Sequence, residues 1–122
     1  MMKRISFQTR SLAFLLSALI CFSFASPHHG WSNYDQNKTL NFTGEILEST
    51  YENPHGMLKF KADDKTWTVV LAPPSRMESR GLTAAMVGPK SVVTLEGYPR
   101  SDGTAEMRIE RVTVQGKTVE LR

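Results

Sequence analysis

The stretch Thr66-Trp67-Thr68-Val69-Val70-Leu71-Ala72-Pro73-Pro74-Ser75-Arg76-Met77-Glu78-Ser79-Arg80-Gly81 changes its period halfway along. Up to Leu71 it alternates, with Trp67, Val69 and Leu71 on one face, as a half-buried strand does. Pro73-Pro74 stops that strand, because proline has no amide hydrogen for a sheet ladder. Ser75-x-x-Glu78 then reads as a capping box, its hydroxyl and carboxylate satisfying free backbone N–H groups at a helix start. Gly81 can end this helix in a left-handed turn. Thr83 to Val87 adds one more turn before Gly88-Pro89-Lys90 closes the connection. One short helix therefore separates two groups of strands.

Upstream, Thr39 to Ser49 alternates Leu40, Phe42 and Ile46 against Thr39, Asn41, Thr43 and Glu45, and Gly44 marks a bulge or a sharp coil. Met57 to Lys61 sets Leu58 and Phe60 against Lys59 and Lys61, and Asp63-Asp64-Lys65 turns the chain into the third strand. Downstream, strands are expected over Ser91 to Tyr98, Ala105 to Val114 and, briefly, Thr118 to Leu121. They are separated by turns at Ser101-Asp102-Gly103 and Gln115-Gly116-Lys117. This order predicts a mainly β chain: a small OB-fold-like five-stranded barrel with one short helix between strands three and four. The long first strand would serve both halves of the barrel, and the helix would plug one end. A small open sheet with one helix is the rival, since local periodicity does not encode strand order.

The amino-terminal part reads as a targeting segment. Lys3, Arg4 and Arg10 form a basic start, Ser11 to Phe24 an apolar run, and Ser23-Phe24-Ala25 a small-x-small cleavage site, so residues 1–25 are expected to be a signal peptide. The run is shorter than the roughly 20 residues that cross a bilayer, so the chain is not expected to span a membrane after signal cleavage. The organisation is then signal peptide 1–25, an irregular lead-in segment 26–38 and an OB-like β-barrel domain 39–122, in a periplasmic or secreted protein. Cys21, the one cysteine, falls inside the signal. Its loss would leave no thiol for disulfides, thiolate metal sites or cysteine nucleophiles. The formal charge of +3 also comes from the signal, because Lys3, Arg4 and Arg10 supply the whole excess of basic over acidic residues. A neutral domain argues against nucleic acid as a partner, since neutralising several phosphates calls for a surplus of Lys and Arg.

His28-His29-Gly30-Trp31, Glu52-Asn53-Pro54-His55-Gly56, Leu71-Ala72-Pro73-Pro74-Ser75-Arg76 with Arg80-Gly81-Leu82, and Glu96-Gly97-Tyr98-Pro99 occur in this order along nearly the whole mature chain. Together they resemble a family of small exported bacterial proteins known only as a domain of unknown function. The resemblance implies an exported, barrel-like single domain and brings no activity with it. In such relatives the histidine pair stands at or beside the mature amino terminus, whereas here Ser26 and Pro27 precede it.

Three histidines, His28, His29 and His55, are the complete set of imidazoles. They could hold copper, or less favourably zinc, with Met57 as a soft fourth ligand for copper(I) or Glu52 as a hard one for zinc. The competing reading makes His28 and His29 a mobile tail and His55 a turn residue bonded to a backbone carbonyl. Asn53-Pro54 sets a rigid turn, and Gly56 would let the chain leave it at positive φ. Trp31 and Tyr34 are expected to pin the lead-in segment. An amine-x-x-His copper(II) plane built on His28 fails because Pro27 has no amide proton to lose. A histidine-brace site, like that of copper-dependent polysaccharide monooxygenases, would need Ser26-Pro27 removed. Arg76 and Arg80 share one helix face and read as a solvated surface or an anion clamp.

No Gly-x-Ser-x-Gly elbow and no glycine-rich phosphate loop occurs, and the paired carboxylates Asp63-Asp64 fall in a turn. The chain is not expected to be an enzyme. The expectation is a periplasmic binding module holding copper, or zinc, through His28, His29 and His55. The alternative is a non-catalytic structural or interaction protein of the cell envelope, with another envelope protein as partner and incidental histidines.

Overall fold

The computed structural model describes residues 30–122. The expected signal peptide, His28 and His29 lie outside the described residues. Six strands follow the expected order: β1 (Leu40–Thr50), β2 (Met57–Ala62), β3 (Lys65–Val70), β4 (Val92–Pro99), β5 (Glu106–Val114) and β6 (Lys117–Glu120). One short helix, α1 (Pro74–Ser79), and a 3-10 turn at Ala85–Val87 lie between β3 and β4.

The sheet runs β3-β2-β1-β4-β5-β6 and closes on itself where β3 pairs with β5, so five strands make a barrel and β6 extends it as a hairpin on β5. The closing pair is the one parallel pairing among the named strands, Thr68, Val69 and Val70 lying beside Glu106, Met107 and Arg108. The open-sheet rival is thereby removed. Closure leaves no barrel edge to satisfy, and the ladders of β1 reach β2 with its second half and β4 with its first.

The interior is apolar: Ile46, Leu58, Phe60, Val69, Leu95, Met107, Ile109 and Val112 are all buried. Two bulges keep that pattern inward where strict alternation would lose it. In β1 the register shifts between Ile46 and Glu48, so Leu47 is the extra residue and stands 46% exposed. In β5 the shift opposite Glu96 and Gly97 makes Glu110 the extra residue, and the buried positions pass from Met107 and Ile109 to Val112 and Val114. The bulge expected at Gly44 thus lies three residues later. Gly44 itself is where Phe60 crosses, and a Cβ at that position would stand 3.2 Å from the Phe60 ring.

Helix α1 closes one barrel end through buried Met77, helped by Leu82 and Val87. The capping box does not form: the helix starts at Pro74, its N-cap is Pro73, and no side chain caps it. With proline already in the first turn at fixed φ, Ser75 lies inside the helix, where its hydroxyl is past the capping position. Gly81 does adopt a left-handed φ of +84° as the chain leaves the helix.

Candidate functional site

The Tyr51–Gly56 segment joins β1 to β2 at the helix-plugged end. The Tyr51 phenol donates to the Leu82 carbonyl at 2.6 Å, tying the start of the loop to the connection after α1. Burial, with Glu78 nearby, raises its pKa. The Asn53–Pro54 peptide bond is cis. At the far end Gly56 extends the ladder, its N–H donating to Ala72 O at 2.9 Å and its carbonyl accepting from Leu71 N–H at 2.8 Å. Gly56 is not at positive φ, contrary to expectation. A Cβ there would stand 2.7 Å from Met77 Cε, the far end of a flexible side chain that would have to shift. His55, directly before this fixed point, is half-buried, while Glu52 is exposed and Met57 half-buried.

The lead-in segment is pinned as its two aromatics suggested. Trp31–Asn33 makes a 3-10 turn, and Tyr34 bridges to Arg100 at the end of β4. Asp35 N–H donates to Pro99 O and Ser101 N–H to Asn33 O, both at 2.9 Å. Tyr34 is buried, and its phenol donates to Glu106 Oε2 at 2.6 Å. Glu106 also accepts from Arg100 at 3.1 Å. Burial first, then the Glu106 hydrogen bond and charge, push the Tyr34 pKa far above the ordinary tyrosine range.

Trp31 lies edge-on to Tyr98, and two guanidinium groups lie over its ring, those of Arg108 at 4.5 Å and Arg122 at 4.4 Å from the ring centroid. Sequence reading missed Arg108. It sits between inward-facing Met107 and Ile109, which assigns it to the barrel's outer face and hence to solvent. The lead-in segment covers that face instead, a contact between residues far apart in the chain.

Arg76 on α1 and Arg80 just after it, read from sequence as a solvated surface or an anion clamp, instead bond backbone carbonyls. Arg76 Nη1 donates to Leu121 O at 3.1 Å, and Arg80 Nη1 donates to Glu120 O at 2.7 Å and Arg122 O at 3.1 Å. The pair holds the backbone at the end of β6 and beyond it against the helix end. A hollow of about 240 Å³ near the β4–β5 loop brings Lys38, Lys65 and Arg100 together with Asp35. Arg100 is committed there to Asp102 and Glu106, so no net charge is concentrated.

Of the expected metal ligands, His55 alone falls among the described residues. Within them no three His, Cys, Asp or Glu side chains cluster to hold a metal ion, and no helix is long and apolar enough to cross a membrane. No curated protein matches the sequence. The model of a family of unknown function, DUF6152, matches residues 17–108, which is most of the sequence, and the chain belongs to that family.

Proposed function

We propose that this chain is an exported, periplasmic or secreted binding module that holds copper, and less readily zinc, through His28, His29 and His55, and that it is not an enzyme. The observation that carries the reading is the anchoring of the lead-in segment at Trp31 and Tyr34. Trp31 lies against Arg108, which lies beside Val70, and Val70 in turn pairs with Met57 at the exit of the His55 loop. Two strand spacings of about 4.8 Å therefore separate the strand beneath Trp31 from the strand that follows His55. His28 and His29 precede Trp31 by three and two residues in the sequence. Imidazole nitrogens are donors that suit copper or zinc, and Met57 would add a soft donor for copper(I).

The test is calorimetric titration of mature protein of verified amino terminus with copper(II) and zinc(II), beside His55→Ala and His28→Ala/His29→Ala. One equivalent bound by the parent, with affinity at least about tenfold weaker in both variants, supports a shared site. Binding that His55→Ala leaves unchanged removes His55 from the site, and absence of binding leaves the interaction-module reading in its place.

A further inference from the structure

Arg108 stands on the outer side of β5 and is nonetheless only 7% exposed. Its Nε and Nη1 are buried and have no hydrogen-bond partner among the described residues. A guanidinium taken out of water with unmet donors is costly, and native structures supply such groups with an acceptor. The surroundings raise that cost. Burial lowers the Arg108 pKa, Tyr34 acts in the opposite sense, and Arg76 and Arg122 lower it further.

The groups around it are mostly cationic. Arg122 shares the Trp31 ring with Arg108, donates to Gln36 Oε1 at 2.9 Å and lies 3.6 Å from Glu110 Oε2. Arg76 gives one N–H to the Leu121 carbonyl. Glu106, the nearest acid on the Tyr34 side, is taken by Tyr34 and Arg100. Arg108 thus has two cationic neighbours, Arg76 and Arg122, and Arg122 in turn lies near one carboxylate, Glu110, in a domain that is otherwise balanced in charge.

We propose that the Arg108 and Arg122 pair at Trp31, with Arg76 near Arg108, is a binding site for a small oxyanion, a carboxylate or a phosphate, whose oxygens accept from the Arg108 guanidinium. The planar fork of arginine matches both groups, and the Trp31 ring beside it limits where the guanidinium can sit. Entry is on the Arg122 side, where that side chain is 44% exposed. The site uses no histidine and is independent of metal binding.

The test is titration of metal-depleted protein with inorganic phosphate and, separately, succinate, at constant ionic strength against chloride. Arg108 Nε–H is followed by nitrogen-15 NMR and Trp31 by fluorescence. A saturable shift of Arg108 Nε–H with half-saturation near 1 mM or tighter is expected from one of the two anions, as one charge-assisted fork contact allows. The anion that saturates distinguishes carboxylate from phosphate. Arg108→Leu is expected to abolish the response. Arg122→Gln, an exposed change that keeps the fold, is expected to weaken it about tenfold. Equal responses to chloride, a saturable response that Arg122→Gln and Arg108→Leu leave intact, or an Arg108 Nε–H that contacts only long-lived water and ignores both anions would each overturn the proposal.

Discussion

The phenol of Tyr34 is buried at 3% exposure and donates to a carboxylate that also receives Arg100, so one hydroxyl joins the lead-in segment to the start of β5. Its raised pKa fixes the sign of a pH effect. Near pH 10 an unfolded tyrosine begins to lose its proton while the folded Tyr34 keeps it, so the folded state binds more protons and stability falls as pH rises. The stabilisation is complete below about pH 10 and is lost progressively above it. Tyr34→Phe is expected to cost about 1.5–3 kcal/mol at neutral pH, the worth of a hydrogen bond to a charged group. It should also flatten the alkaline decline, leaving the smaller contribution from Tyr51, whose pKa is raised as well. Denaturant melts of both proteins from pH 8 to 11 check this, and parallel curves would remove Tyr34 as the source.

Among the elements, two glycines divide by what they touch. A Cβ on Gly97 would run into the Arg108 carbonyl oxygen and stand 2.9 Å from Ile109 Cα, both backbone of the paired β5 strand at its bulge. Backbone in a closed ladder cannot step aside, so Gly97→Ala is expected to cost about 3 kcal/mol. A Cβ on Gly56 comes closest to the Met77 methyl, the far end of a flexible side chain, and Gly56→Ala is expected to cost about 1 kcal/mol. Equilibrium unfolding of the two variants gives the comparison, and equal losses would contradict it. The same division explains what could be read from sequence. Alternating Leu58 and Phe60, or Trp67 and Val69, carry their strand assignment locally, as does the proline pair that stops β3. The bulge at Leu47 and the use of Arg76 and Arg80 on the carbonyls at the end of β6 and beyond depend on partners distant in sequence. The missing cap at Ser75 follows instead from the adjacent proline pair and is open to a closer local reading. The candidate site divides in the same way. His55 is legible as an imidazole in a turn, whereas Arg108 reads as a solvent-facing residue until Trp31, far earlier in the chain, is folded over it.

For the whole molecule, the parallel contact of β3 with β5 decides between a barrel and an open sheet. It is short, three residue pairs, and it holds the wall on which Arg108 and the covering Trp31 rest. Val69 lies at its centre, fully buried, with Leu58 as its partner on β2 and Met107 on β5. Val69→Thr keeps the shape and β-branching but places a hydroxyl among apolar side chains, in a region whose backbone acceptors are already occupied by the ladder. The expected loss is about 2 kcal/mol, the penalty for a buried polar group left without a partner. Because the strand is paired on both sides, this loss cannot be absorbed by fraying an edge and must appear in global unfolding. Tryptophan fluorescence, which reports on Trp31 and Trp67, and far-ultraviolet circular dichroism should therefore shift together to lower denaturant with an unchanged slope. Separation of the two transitions in the variant would mean that the seam opens on its own, with the lead-in and its arginine cluster released before the barrel is lost.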